Sequence, residues 1–445
     1  RSKNYWFLRY QDERWFDKPP LSFWMTAFFY QCFGIHEGSA RLFSALCGVG
    51  SILICALIGI YFYGNRHGWM AGWILLTCGH FLQYARRCQT DIPVTFFITL
   101  CLYFFLLGLH RSLFFWFAGC ALGCALMTKG STALFTGLIA LPFLLVSRHF
   151  EVFKRFSFWG GISLGILLAL PWHLYQYFSY PEPFVRAYFG DHIGRIFDAP
   201  STAEGSSFFY YFKVLSDDFR PWSFLLVLFL VAQCRLFYQR IRTQTALPLQ
   251  DGESFSLCWF LIILISLSLA TTRLNWYLLP IYPGLALYLT FWFTQLSPKI
   301  LSFAFRGKRY SFSGYQLGWA FLILTFLIFP SVTRKVRHIQ FNPELKFLGP
   351  KIQEWVPVTE KLLLYSGGEQ ADDKHHSIFM PSTLFYGDRF IEWMREDAEQ
   401  LRSVWQKQPH RICLLNEWAL KDLQLKQLNF EILAHKNHLY LIQGK

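Results

Sequence analysis

Residues 42–63 read LFSALCGVGSILICALIGIYFY, without one Asp, Glu, Lys or Arg. A bilayer core takes about 20 apolar residues per helix, in a range near 17–25, so this stretch predicts a membrane span. Comparable apolar runs recur at 69–83, 92–109, 113–127, 131–147, 157–178, 222–239, 254–270, 276–297 and 316–331, which makes ten expected spans. Segment 21–34 (LSFWMTAFFYQCFG) is shorter and suits an interfacial or re-entrant helix. After Pro330 the character changes. Residues 361–365, 411–415 and 438–442 read as strands, and 389–407 and 417–427 show helical periodicity with charged faces. The expected fold is an all-α polytopic membrane bundle with a small C-terminal α/β domain. Its parts are an outer-face loop with an interfacial helix at 1–41, a transmembrane domain at 42–331 and the α/β domain at 332–445.

Composition agrees. Of 445 residues 53% are apolar and 20% aromatic, while 16% are charged, against about 25% in soluble domains. Mean hydropathy is +0.28, averaged over two unlike parts. A soluble cytosolic enzyme is excluded. The net charge of +14 would suggest nucleic acid in a soluble protein, but most of it sits in short loops between apolar runs, where basic residues set membrane orientation. No nucleic-acid partner is expected. Ten of the 11 cysteines lie between Cys32 and Cys258, mostly within apolar runs, and no CxxC pair occurs. That excludes a disulfide framework and a zinc ribbon.

The loops divide into two sets. Loops 64–68, 110–112, 148–156, 234–253 and 298–315 hold 12 Lys/Arg against 3 Asp/Glu. Loops 84–91, 128–130, 179–221 and 271–275 hold 8 against 7. The positive-inside rule makes the first set cytoplasmic. Asp17, Lys18, Asp91, Lys129, Asp191, Arg195, Arg220 and Arg273 then fall at the outer ends of spans. Span interiors carry almost no Asp, Glu, Lys or Arg, Arg235 near a cytoplasmic end being the exception. Ion-coupled carriers concentrate such residues near the midplane, so the polar chemistry is expected at the outer face instead.

Four clusters could carry it. Trp15-Phe16-Asp17-Lys18-Pro19-Pro20 fixes an acid–base pair ahead of the short helix, at headgroup depth. Lys18 is a compact point charge suited to a phosphate, or a snorkelling anchor. In Arg86-Arg87-Cys88-Gln89-Thr90-Asp91-Ile92-Pro93, Asp91 stands where a helix dipole favours a carboxylate. It reads as a cap, or as a general base, metal ligand or acceptor-orienting group. Met127-Thr128-Lys129-Gly130 is a charged turn whose glycine the turn explains and whose lysine it does not. Asp191-His192-Ile193-Gly194-Arg195 puts His192 and Arg195 at a helical spacing, while Arg273, Asn275 and Tyr277 stand ready to close the same pocket. Asp372, Asp373, His375 and His376 look like metal ligands but read as a solvated loop.

The ordered series FDKPP, GSARLFSAL, TDIP 73 residues beyond Lys18, TKG, DHIGR and NWYLLPIYP resembles the polyprenyl-phosphate-sugar glycosyltransferases of the GT-C class. That group contains lipid A aminoarabinose transferase and protein O-mannosyltransferases, and the resemblance runs from about residue 12 to 331. It implies inverting transfer of a sugar from a polyprenyl or dolichyl phosphate to a lipid or protein acceptor at the outer face of a membrane, in a bacterium the inner one. It implies that Lys18, Lys129 and Arg195 contact the donor phosphate. Asp17, His192, Arg273 and Tyr277 would line the pocket, and Asp91 would be a secondary acid near the acceptor or a divalent ion. Asp17 stands where the family often has Glu. The family's principal Asp precedes the KPP element by more than Asp12-Glu13 does here, so the chain, opening on Arg1, is expected to be a fragment lacking that residue and inactive alone. The rival readings are a lipid-linked sugar flippase or other transporter, and a non-catalytic membrane scaffold.

Overall fold

The computed structural model describes residues 5–10, 13–190, 207–242, 249–296, 300–305, 308–313, 342–366, 380–394 and 398–445, together with scattered residues of 316–330. The chain divides into two compact units, residues 1–8 with 14–336 and residues 9–13 with 337–445.

The first unit is a helical bundle. Short strands β1 (Leu8–Tyr10) and β2 (Glu13–Trp15) lead to α1 (Leu21–Phe33), entered from Pro20 and ended at Gly34 with φ +83°. A capping box opens α2 (Glu37–Leu76). His36 accepts from the Gly38 and Ser39 amides, and Ser39 Oγ accepts from the His36 amide, so the orphan donors at this helix start are satisfied. The helix reverses at Gly64, where φ is +73°, a value glycine adopts without a Cβ penalty. Then come α3 (Gly79–Ala85), α4 (Asp91–His110), α5 (Phe114–Ala133), α6 (Phe135–Val146) and α7 (Phe156–Ser179). Helices Trp222–Arg242, Asp251–Leu269 and Tyr282–Leu296 follow, the last entered through a 3₁₀ segment at Asn275–Ile281. Small residues let backbones close in: a Cβ on Gly119 of α5 would stand 2.0 Å from the Gly161 carbonyl oxygen of α7. Close approach of this kind drives packing where no hydrophobic gradient separates helix from lipid.

Among the described residues five helices are long and apolar enough to cross a membrane: Glu37–Asn65, Asp91–His110, Phe156–Ser179, Trp222–Gln239 and Asp251–Leu269. They number six if α5 and α6, bent by 86° at their junction, form one broken span. The chain is a multi-pass membrane protein, and among the described residues several of the ten expected spans are built as bent or interrupted helices. The runs at 113–127 and 131–147 become that bent pair, because the helix breaks at Lys129 (φ −158°, ψ 85°). The run at 69–83 splits between the end of α2 and α3, and the run at 276–297 loses its first turns to the 3₁₀ segment. Most of 316–331 lies outside the described residues. The expected loop 298–315 contains an antiparallel hairpin, β3 (Ile300–Phe305) with β4 (Lys308–Ser313).

The second unit is a small α/β fold with a five-stranded sheet in the order β6-β5-β7-β9-β8. The strands are β5 (Leu362–Tyr365), β6 (Ile391–Met394), β7 (Ile412–Asn416), β8 (Phe430–Lys436) and β9 (Leu439–Gly444). Strands β6, β5 and β7 run parallel, and β7, β9 and β8 run antiparallel. Every residue of β5 and β7 is buried, as befits parallel strands covered on both faces. Leu363, Tyr365, Cys413 and Leu415 pack with helices Ala398–Lys407 and Glu417–Leu425, while Leu362, Leu364, Ile412 and Leu414 pack with helix Pro343–Trp355. Alternate residues of one apolar run thus serve two cores. The expected strands at 361–365, 411–415 and 438–442 are present. The helix expected over 389–407 begins only at Ala398, because Ile391–Met394 pairs with β5.

Candidate functional site

Helix α4 begins at Asp91, and α5 loses its helical geometry at Lys129. These two irregular points meet. Lys129 Nζ donates to Asp91 Oδ1 at 2.7 Å, with both residues buried. The break in α5 swings the lysine out of the helical ladder, and the 3₁₀ segment supplies the lid: the ammonium lies 4.4 Å from the ring centroid of Tyr277. A cation over an aromatic face is attracted by the ring quadrupole, the more so when desolvated. Asp91 carries its negative charge at the positive end of the α4 dipole, but Thr90 is the capping position and the carboxylate points to Lys129. Asp91 therefore acts as the counter-ion of a buried lysine, a role its cap-like position in the sequence did not reveal.

Gly130 is not a tight-turn glycine either. A Cβ there would lie 2.1 Å from Tyr188 Oη, so the position is small to admit a phenol. That hydroxyl is 2.9 Å from His173 Nε2, and His173 Nδ1 is 2.8 Å from the Ala169 carbonyl one turn back on α7. Burial, and then the neighbouring Asp17 carboxylate, push the Tyr188 phenol up from its ordinary value, so it stays a neutral hydroxyl at physiological pH. Tyr188 ties the Lys129 break to the FDKPP element, since Phe16 and Leu21 pack with Met127, Trp172, Phe184 and Tyr188 in one apolar cluster. Within FDKPP, Lys18 Nζ is 3.2 Å from Asp17 Oδ2 and 5.6 Å from the Trp15 ring centroid, and it remains about a quarter exposed.

The structure thus gathers Asp91 and Tyr277 about Lys129, and the apolar cluster that holds Tyr188 packs Phe16 and Leu21, on either side of Asp17 and Lys18 in sequence, with Met127. Arg273 Nη2 donates to the Ser268 carbonyl at 2.8 Å, neutralising the C-terminal end of helix Asp251–Leu269. His192 and Arg195 lie outside the described residues, as do Asp372, Asp373, His375 and His376. Among the described residues no group of three or more His, Cys, Asp or Glu gathers to hold a metal ion, and the Asp91 carboxylate is engaged by Lys129.

Sequence reasoning missed four residues. Tyr188 was hidden because nothing in a loop aromatic announces that a glycine far upstream makes room for it. His80 fell inside an expected span and Tyr84 just beyond its end. Glu253, one position outside another, is buried with Gln233 Nε2 donating to it at 2.7 Å.

Comparison with known proteins follows the same geometry. The family model described as dolichyl-phosphate-mannose-protein mannosyltransferase matches residues 17–175, the part that carries Asp17, Lys18, Asp91 and Lys129. The crystal structure of ArnT from Cupriavidus metallidurans bound to undecaprenyl phosphate superposes with a TM-score of 0.73 at 18% identity, covering 99% of this chain and 90% of that one. The resemblance to the GT-C class holds. The fold is of that type, a helical membrane bundle with a small C-terminal α/β domain. An uncharacterised protein of Aquifex aeolicus is 28% identical over 281 residues, 62% of this chain and 53% of that protein. An undecaprenyl phosphate-alpha-4-amino-4-deoxy-L-arabinose arabinosyl transferase of Shewanella sediminis is 26% identical over 295 residues, 65% of this chain and 52% of that protein. One of the same description from Pseudomonas fluorescens is 28% identical over 284 residues, 62% and 49%. The chain therefore spans about half the length of the curated relatives it matches.

Proposed function

We propose that this chain carries the donor-phosphate pocket of a membrane glycosyltransferase that moves a sugar from a polyprenyl phosphate to a lipid or protein acceptor. The observation that supports it most is the buried Lys129–Asp91 pair beneath Tyr277. Burying two charges is costly, and a span junction needs no lysine. An ammonium has three donors; Asp91 takes one, leaving others for phosphate oxygens. Lys18, partly exposed beside Asp17, supplies a second cation, and Arg195 is proposed as a third. His192 is proposed as a further pocket residue. Arg273, spent on a backbone carbonyl, anchors the Tyr277 segment.

In the proposed reaction an acceptor oxygen attacks the anomeric carbon as the carbon–oxygen bond to phosphate breaks, with inversion. Charge grows on the leaving phosphate, where Lys129 and Lys18 stabilise it. The acceptor proton goes to a carboxylate acting as general base. Asp91 holds Lys129 in place. Relatives described as undecaprenyl phosphate-alpha-4-amino-4-deoxy-L-arabinose arabinosyl transferases favour an amino-pentose donor carried on undecaprenyl phosphate. We assign the pocket to the outer face of a bacterial inner membrane and residues 332–445 to the extracytoplasmic side, a reading that the loop charges support. The test is transfer of labelled aminoarabinose from undecaprenyl phosphate to lipid in vesicles bearing the protein. Transfer lost in Lys129→Ala and Lys18→Ala at normal expression supports the reading; transfer unchanged in both sinks it.

A further inference from the structure

Tyr277 is useful over Lys129 only if its backbone is held, and the segment around it is held unusually well. Both backbone groups of Leu274 bond to the buried Tyr211 hydroxyl, amide and carbonyl each at 3.2 Å. The Pro280 carbonyl accepts from Trp259 Nε1 at 2.9 Å. The two remaining ties come from one short element, α3. Tyr84 Oη donates to Asn275 Oδ1 at 2.9 Å, and His80 Nδ1 lies 2.6 Å from Tyr282 Oη. His80 and Tyr84 are four residues apart, hence on one helix face, and their partners bracket Tyr277 on either side. His80 and Tyr282 are both buried. The His80 ring and the Tyr282 hydroxyl share one hydrogen bond in either tautomer, while Nε2 faces the Asp218 carboxylate at 4.0 Å, beyond hydrogen-bond length.

We infer that α3 is a positioning element for the phosphate pocket: the His80–Tyr282 and Tyr84–Asn275 bonds hold the Tyr277 ring against the Lys129 ammonium and so set the affinity for a lipid phosphate. The inference rests on reading Lys129 as a phosphate-binding group. None of the four residues is assigned a contact with the substrate. They act through Tyr277.

The test uses the purified protein in nanodiscs, with undecaprenyl phosphate and phosphate-free undecaprenol as paired probes. Each of Tyr282→Phe and His80→Leu is expected to weaken undecaprenyl phosphate binding about tenfold, the scale of one lost hydrogen bond, and to leave undecaprenol binding unchanged. The double variant is expected to be no weaker than either single one, since both remove the same bond. His80→Asn, which keeps an acceptor near the Nδ1 position, is expected to recover most of the loss. Equal losses for both lipids would reduce α3 to a merely structural element, and undiminished phosphate binding in both variants would remove it from the pocket; either overturns the inference. A wild-type protein that does not distinguish the two lipids would instead overturn the phosphate reading itself, and the inference with it.

Discussion

Two ion pairs of the same chemistry, one in each unit, have opposite meanings. Lys129 and Asp91, 38 residues apart on two successive helices, meet at 2.7 Å with side chains 8% and 9% exposed. Lys421 and Glu417 meet at 3.0 Å with side chains 66% and 53% exposed, one turn apart on a surface helix. The second pair follows from helix geometry and is worth little, because water solvates both groups nearly as well apart as together. The first has lost its water, so each charge depends on the other. A chain that keeps such a pair at the break of a span keeps it for a purpose other than stability.

The sharpest way to break that contrast is to remove one partner. Lys129→Met strands the Asp91 carboxylate and is expected to cost about 3–5 kcal/mol, read as a lower thermal midpoint in detergent and loss of undecaprenyl phosphate binding. Adding Asp91→Asn should recover much of the stability and none of the binding. Gly130→Ala comes next. Its new methyl would meet the Tyr188 hydroxyl, at an expected cost of about 1–3 kcal/mol, and Tyr188→Phe in the same chain should relieve most of it, because the clashing atom is the oxygen. Lys18→Ala sharpens the comparison from the other side. Being partly exposed, Lys18 should barely move the midpoint, yet weaken undecaprenyl phosphate binding tenfold or more by titration. Smallest of all, Lys421→Ala should shift stability by no more than about 0.5 kcal/mol in denaturant melts.

Much of the fold could be read before any coordinates. Charge-free runs give the helices of the membrane unit, and the apolar runs LLLY and ICLLN give the buried parallel strands of the second unit. What could not be read is where a run bends. Composition is indifferent to the break at Lys129 or the 3₁₀ turn at Asn275, so two runs became a bent pair and another lost its first turns. The site follows the same division. Asp91 and Lys129 each stood out as charges at span ends, but their pairing needs two helices brought side by side. Gly130 was visible and misread: local turn chemistry explains a glycine, whereas the actual reason, Tyr188, comes from a distant element. His80 and Tyr84 were concealed by their surroundings, since a histidine within an apolar run gives no sign that a tyrosine 202 residues away binds it.

The most direct measurement is the affinity of the protein for undecaprenyl phosphate relative to undecaprenol, in wild type and in the Lys129→Met, Asp91→Asn pair. A preference for the phosphate in wild type that disappears in the paired variant, while undecaprenol binding and folding persist, is the predicted result. A phosphate preference that survives the loss of both charges would contradict it, and would leave the buried pair as a structural strut.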